Sequence, residues 1–366
     1  MKLNTILSVA FPFARIKEDT VGGAEQILSS LDNAITNRGY NSIVIASEGS
    51  NVKGELFAGP PVPDSIVDQQ IRERTYKIYR KLISNVARIR NADVIHFHGV
   101  DFDKYLPSIK IPVLVTLHLP VPWYNHEFIS ENKKNIYFNC VSGYQNSTCD
   151  NIHGLLGAID NGIPVPLQPL RCKRCNFTLS MGRVCPEKGY HIAFDAAKKA
   201  KLAHLHAGKV FPYIEHIKYY REQILPRCDN FRYRFIGSAG ISEKKRLLCS
   251  ARCLLIPSLV QETSSLVALE AMAYGTPVIA FRAGALNEIV KDGYNGYLVN
   301  DEKEMAEAIN MTHLINSCDC YRYVKEKYSI DKMVNQYFQL YSRLTEYNGS
   351  DTDNRIDNNS KTKKCA

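Results

Sequence analysis

The residues best placed to do chemistry together lie between Pro257 and Pro277. The apolar run Cys253–Pro257 predicts a strand. Ser258-Leu259-Val260-Gln261-Glu262-Thr263-Ser264-Ser265 then reads as a loop, and Leu266–Tyr274 as a helix that carries Glu270. The start of such a helix offers unsatisfied backbone N–H groups and the positive end of its dipole, a setting that suits an anion such as a diphosphate. Ser264 or Ser265 is a residue type that caps a helix. Glu270 begins the second turn, where its carboxylate can accept hydrogen bonds from neighbouring sugar hydroxyls. Glu262, in the loop, would face a ligand from another side.

Three further sets have suitable types and spacing. In Met181-Gly182-Arg183-Val184-Cys185-Pro186-Glu187-Lys188-Gly189, Arg183 and Lys188 stand five residues apart at a strand–loop–helix junction. They would converge on one diphosphate, Arg as a fixed fork and Lys as a flexible point charge. Thr20-Val21-Gly22-Gly23-Ala24-Glu25 follows the first strand, and paired glycines let a backbone approach a bulky ligand closely. His118 follows the strand expected at Val113–Leu117 and precedes Pro120 and Pro122, so it belongs to the same sheet edge. His96 and His98, and His204 and His206, are read first as packed, hydrogen-bonded strand residues, and only second as ligand contacts.

These residues need strands and helices to hold them. Short β-branched runs alternate with helical patterns through the first half: strands at Leu3–Val9, Ser42–Ala46, Val94–Phe97, Val113–Leu117, Ile136–Val141 and about Leu155–Ile159. Ile27, Leu28, Leu31, Ala34 and Ile35 share a helix face that stops at Gly39. Ile71, Ile78, Leu82, Val86 and Ile89 mark a long amphipathic helix, and Gly54–Pro63 reads as a loop. The alternation restarts after the Pro-rich stretch Gly162–Arg171, an interdomain linker by its composition. Strands follow at Phe177–Met181, Leu202–Ala207, Phe231–Ile236, Cys253–Pro257, Pro277–Phe281 and Tyr297–Val299. Ile330, Met333, Val334, Tyr337, Tyr341 and Leu344 lie on one stripe of a last helix. Alternation of this kind predicts right-handed βαβ units and parallel sheets. The expected domains are residues 1–165, joined by the helix at about 329–345, and residues 170–328. Residues 347–366 are too polar to pack and are expected to be disordered.

Composition narrows the function. The 366 residues carry 46 Lys and Arg against 37 Asp and Glu, a formal charge of +9 that favours anionic partners but is spread too evenly to name one. No apolar run is long enough to span a membrane, and the N-terminal run stops at Pro12 without a signal-peptide cleavage site, so a cytosolic protein is expected. Eleven cysteines at irregular spacing argue against a disulfide framework, and Cys172 and Cys175 lack a second pair at zinc-site spacing. No Gly-x-Gly-x-x-Gly follows a strand, and Gly208-Lys209 is followed by Val210, so neither a dinucleotide fingerprint nor a P-loop is present. Asp101-Phe102-Asp103 reads as a solvated turn rather than a metal clamp.

Together these motifs resemble the family 4 (group 1) glycosyltransferases. The resemblance rests on Glu262 and Glu270 with seven residues between them, followed by Ala271-Met272-Ala273-Tyr274-Gly275-Thr276-Pro277. It extends to Gly284–Val290, Asp292–Val299, Gly182-Arg183 with Glu187-Lys188-Gly189, Phe235-Ile236-Gly237, Asn161-Gly162-Ile163 and the Gly22-Gly23 loop, and covers roughly residues 3–345. It implies an α/β GT-B fold: two Rossmann-like doubly wound domains facing across a cleft, with a C-terminal helix crossing back to the N-terminal domain. It implies retention of configuration and no metal or other cofactor. Arg183 and Lys188 would hold the donor diphosphate, Glu270 the ribose hydroxyls, and Glu262 would face the transferred sugar. Backbone N–H groups of Ser265 and Leu266 would meet the distal phosphate, Gly22 and Gly23 would border it, and His118 would lie near the sugar's outer hydroxyls. Where many members have Glu-Gly-Phe-Gly, this chain has Glu262-Thr263-Ser264-Ser265, so its sugar pocket is expected to differ.

The expected activity is therefore transfer of a hexosyl unit from a nucleoside diphosphate sugar to a hydroxyl acceptor. UDP-sugars are the favoured donors and UDP-glucose the first choice, with GDP-mannose open. The acceptor is a glycan, a lipid-linked sugar or a small molecule, and no nucleic-acid polymer is implicated. The expected place is the cytoplasm, with peripheral contact at the inner membrane surface left open. The rivals are a nucleotide-sugar epimerase or phosphorylase on the same fold, and a non-catalytic nucleotide-sugar-binding scaffold.

Overall fold

The computed structural model describes residues 3–17, 22–63, 67–170 and 173–347. Cys172, Thr20, Val21 and the polar tail after Tyr347 lie outside the described residues. The first sheet has seven strands: β1 (Thr5–Val9), β2 (Asn41–Ser47), β3 (Glu55–Gly59), β4 (Val94–Phe97), β5 (Val113–Leu117), β6 (Ile136–Cys140) and β7 (Leu155–Ala158). Their spatial order is β3-β2-β1-β4-β5-β6-β7, parallel throughout. The second has six: β8 (Phe177–Met181), β9 (Ala203–Ala207), β10 (Tyr233–Phe235), β11 (Cys253–Ile256), β12 (Val278–Phe281) and β13 (Gly296–Val299). They run β10-β9-β8-β11-β12-β13, again all parallel.

The central strands are continuous apolar runs because helices cover both faces. β1 is buried along its whole length, and Ile6 and Leu7 point to opposite cores. Leu7 joins Ile95, Phe97, Tyr79, Ile83 and Tyr105 on one face. Ile6 joins Val94, Leu114 and the helix Gly23–Asn37 on the other. In the second sheet Leu254 and Val278 pack against Leu269 and Met272 of the helix Leu266–Ala273. That helix ends where Gly275 takes φ +73°, a conformation a side chain would strain.

The last helix, Ile330–Tyr347, lies on the first sheet: Met333, Val334, Tyr337, Tyr341 and Leu344 complete the core around Ile6 and Val94. The chain crosses between the sheets twice, and the crossings are tied together. Ile163 N–H donates to Tyr328 O at 3.0 Å, and Ile330 N–H donates to Ile163 O at 2.8 Å. The Pro-rich stretch is anchored as well, by the Tyr321 hydroxyl donating to Pro166 O at 2.8 Å and Leu167 O at 3.0 Å.

Three sequence expectations need correction. The segment Gly54–Pro63 is not only a loop, since it contains β3, which pairs with β2 from Ile43–Glu55 to Ser47–Gly59. An edge strand needs one neighbour and little burial, so it leaves a weak apolar pattern. The long helix spans Gln69–Ile89, but its buried stripe is Thr75, Tyr79, Ile83, Val86 and Ala87, while Ile78 and Ile89 are exposed. Asp101-Phe102-Asp103 is a turn, but not a solvated one. Phe102 is buried, Asp101 accepts from the Tyr76 hydroxyl, and Asp103 accepts from Asn125 Nδ2 at 2.8 Å.

The histidine pairs are packed and bonded. His204 bridges Thr178 and Ser180 at 2.9 Å each, and His206 bonds Ser180 at 2.7 Å. His96 joins sheet to last helix, with Nδ1 2.8 Å from the Tyr341 hydroxyl and Nε2 2.7 Å from Thr116 Oγ1. Tyr341→Phe keeps the ring but leaves His96 Nδ1 buried and unpaired. It is expected to cost about 1–3 kcal/mol, read as a lower urea midpoint at unchanged slope.

Candidate active site

Both sheets reverse strand order once, between β1 and β4 and between β8 and β11. Ligands of doubly wound sheets bind beyond the C-terminal strand ends at such switch points. The sequence motifs fall there. Gly22 caps the helix that follows β1, and His98 and His118 follow β4 and β5. Arg183–Lys188 follows β8, and Ser258–Ser265 follows β11.

The β8 loop turns through a 3-10 segment, Pro186–Lys188, and closes at Gly189 with φ +64°. A Cβ on Gly189 would collide with Pro257 O, so glycine lets this loop press onto the end of β11. Leu259 N–H donates to Glu187 O at 2.8 Å and fastens the two loops. Lys188 Nζ consequently reaches Glu262 Oε1 at 2.6 Å, and Ser258 Oγ donates to the same oxygen at 2.7 Å. Arg183 has a different partner, Glu187 Oε1, at 3.4 Å. Arg183 and Lys188 thus sit on one loop but are held by separate carboxylates.

Ser265 is the cap residue of the helix Leu266–Ala273, but its side chain makes no capping bond. The Ser265 hydroxyl thus does not supply the capping bond expected of it. Glu270 lies one turn along, with Oε1 2.6 Å from Lys244 Nζ and Oε2 buried without a hydrogen-bond partner. Burial raises its carboxyl above the ordinary range, and Lys244 opposes that rise. A buried carboxylate oxygen lacking a donor is a ready acceptor for a ligand hydroxyl.

The two domains meet at this place. The Thr263 hydroxyl donates to His118 O at 2.9 Å, and Tyr144 donates to Gln261 Oε1 at 3.2 Å. Gly23 faces Leu266, whose Cδ1 would lie 3.6 Å from a Cβ at that position. Beside it, Glu25 folds back so that its carboxylate fills the space over Gly22. His118 is buried, and its Nε2 lies 2.9 Å from His98 Nδ1. Burial pushes the His118 imidazole down to about 3, so at neutral pH it is an uncharged hydrogen-bonding group.

The structure therefore gathers Lys188, Glu262, Ser265, Leu266, Gly23 and His118 around the domain junction, with Arg183 and Glu270 on either flank. Sequence reasoning missed the parts played by Lys244, Ser258 and Glu187, the partners of Glu270, Glu262 and Arg183. Ser258 was within reach, as the first residue of the loop that carries Glu262. Nothing in the spacing of Lys244 points to Glu270, 26 residues away.

Residues 176–313 match the family model of group 1 glycosyl transferases. Over 290 residues the chain is 28% identical to an uncharacterised glycosyltransferase of Methanocaldococcus jannaschii, covering 73% of this chain and 80% of that protein. Among solved structures it is similar to sucrose-phosphate synthase of Thermosynechococcus elongatus, with a TM-score of 0.77, 16% identity, and 94% and 100% of the two chains covered. It is also similar to the Anabaena protein HepE in complex with UDP and glucose, with a TM-score of 0.71, 16% identity, and 93% and 100% covered. The two parallel sheets with flanking helices are the GT-B fold.

Proposed function

We propose that this chain is a retaining, metal-independent family 4 glycosyltransferase that moves a hexosyl unit from a nucleoside diphosphate sugar to a hydroxyl acceptor. The carrying observation is the Lys188–Glu262 pair, 2.6 Å apart across two loops at the mouth of an uncapped helix amino end. Such a site suits a group that becomes more negative during reaction. Lys188, Arg183 and the helix N–H groups would stabilise the charge on the leaving diphosphate. Fixed cations at this place supply the charge that other transferases draw from a metal. Glu270 Oε2 would take a ribose hydroxyl, and neutral His118 would bond a sugar hydroxyl.

No side chain among the described residues presents itself as a committed covalent nucleophile. Front-face attack is the mechanism we favour: the acceptor oxygen bonds the anomeric carbon, the bond to the diphosphate breaks, and the departing phosphate takes the acceptor proton. UDP, the nucleotide of the HepE complex, is the first to try, with UDP-glucose the first donor. The reading places the reaction in the cytoplasm, in glycan, glycolipid or glycoside synthesis. The inner membrane surface would be where any lipid-linked acceptor is met. No helix among the described residues is long and apolar enough to cross a membrane.

Thermal stabilisation by UDP, GDP and ADP without added metal tests the donor site. A ligand at about 100 times Kd adds about 2.7 kcal/mol to the folded state. One nucleotide is expected to raise Tm selectively, and no rise with any at millimolar concentration would overturn the reading. Glu270→Gln keeps the size but weakens the acceptor. It is expected to reduce nucleotide affinity about tenfold, seen as a smaller Tm rise at fixed ligand measured against the variant's own ligand-free Tm.

A further inference from the structure

The β8 loop holds a second constellation on its other side. Cys185 Sγ, a Glu187 carboxylate oxygen and a His216 ring nitrogen lie within 4.8 Å of one another. Cys185 and Glu187 come from the loop, and His216 from the helix Ile214–Tyr219. Cys185 and His216 have no part in the transfer reaction described above, whereas Glu187 now holds Arg183 at 3.4 Å.

Their surroundings are those of a built site. His216 is 8% exposed, and its Nδ1 is buried without a hydrogen-bond partner. The rings of Phe211 and Tyr213 meet the imidazole edge-on, at 6.5 Å and 5.0 Å between centroids, and fix its plane. Cys185 is fully buried, with its sulfur 3.4 Å from Arg183 O. The Glu187 side chain is 31% exposed, which gives an entry path from solvent.

We infer that Cys185, Glu187 and His216 form a binding site for a thiophilic divalent cation of the Zn²⁺ class. Thiolate, imidazole and carboxylate together select Zn²⁺ over Mg²⁺ or Ca²⁺, which prefer all-oxygen shells. Zinc bonds of about 2.0–2.3 Å place tetrahedral ligand atoms about 3.5 Å apart, so small rotations of Glu187 and His216 close the present spacing. Three protein ligands leave the fourth position to water. Binding exchanges the thiol proton of Cys185 for the metal and releases it to solvent, with no change of oxidation state. Arg183, now 3.4 Å from Glu187, is 40% exposed and is free to swing away as the cation arrives. Filling the site thus takes Glu187 from Arg183, on the same loop as Lys188. The site stands on its own residues, whether or not the transferase reading holds.

Titration of the fully reduced protein with Co²⁺ tests this directly. We expect one equivalent to bind with thiolate-to-cobalt charge-transfer absorption, and Zn²⁺ to displace it. Cys185→Ser is expected to abolish that absorption. His216→Gln is expected to weaken Co²⁺ binding at least about tenfold, and circular dichroism checks that both variants are folded. Absence of the charge-transfer band in the wild type overturns the assignment. So does a band that survives either substitution at wild-type affinity, because the metal would then not be held by this set of three residues.

Discussion

Replacing Lys188 with alanine is expected to lower kcat by about 10²–10³-fold at saturating donor, the range seen when one preorganised charge-stabilising donor is removed. Two effects act together. On the proposed mechanism, the substitution removes a cation that would face the leaving diphosphate. It also leaves Glu262, whose side chain is only 11% exposed, with Ser258 as its remaining partner in this pair of bonds. An unneutralised carboxylate would then repel the same developing charge. The fold should tolerate the change, because Lys188 is 27% exposed and sits on a 3-10 turn outside the cores. The double variant with Glu262→Gln separates the two effects: part of the lost rate should return if repulsion by Glu262 contributes. Lys188→Arg should retain more activity than alanine. Near-wild-type turnover of Lys188→Ala at saturating donor would remove Lys188 from the mechanism.

What was legible in the sequence follows from range. Strand runs such as Val113–Leu117 and helix stripes such as Ile27–Ile35 are local patterns, and they match the observed elements within a residue or two at most ends. The loops after β8 and β11 were legible too, because a doubly wound topology fixes which loops share a sheet edge. Pairings between elements were not. Lys244 meets Glu270, and His216 meets Cys185, only because separate helices settle over the sheet, and neither pair leaves a period or spacing behind. Ser265 shows the opposite case. Its residue type suits a cap, but its backbone, at φ −144° and ψ 88°, makes no side-chain capping bond. The helix end is consequently left for something else to satisfy. β3 was lost for a third reason, because Glu55-Leu56-Phe57-Ala58-Gly59 is half-exposed and flanked by turn residues.

The buried histidines carry the second large prediction, steep loss of stability between pH 6.5 and pH 4. His96, His98, His118, His204 and His206 are all buried, and burial holds each imidazole below its ordinary value of 6.5. For His118 and His206 the folded value is about 3. The unfolded chain takes up protons as pH falls through 6.5, while the folded chain keeps these rings neutral. The unfolded state therefore binds more protons across this window, and stability falls with pH. At about 1.4 kcal/mol per pH unit, His118 and His206 each remove about 3 kcal/mol between pH 7 and pH 4. The other three act in the same direction. Against them, burial raises the carboxyls of Glu25, Asp101, Asp160 and Glu270, which protonate first in the folded state and oppose part of the loss. Against total stabilities of about 5–15 kcal/mol, a loss of this size is a large fraction of what holds the fold. Calorimetry at pH 7, 6, 5 and 4.5 should show Tm falling at an increasing rate. His206→Gln, which removes one titrating ring from β9, should flatten the slope by about 1.4 kcal/mol per pH unit below pH 6. A Tm that holds steady from pH 7 to pH 4.5 would mean that these rings accept protons in the folded state, and that burial does not keep them neutral.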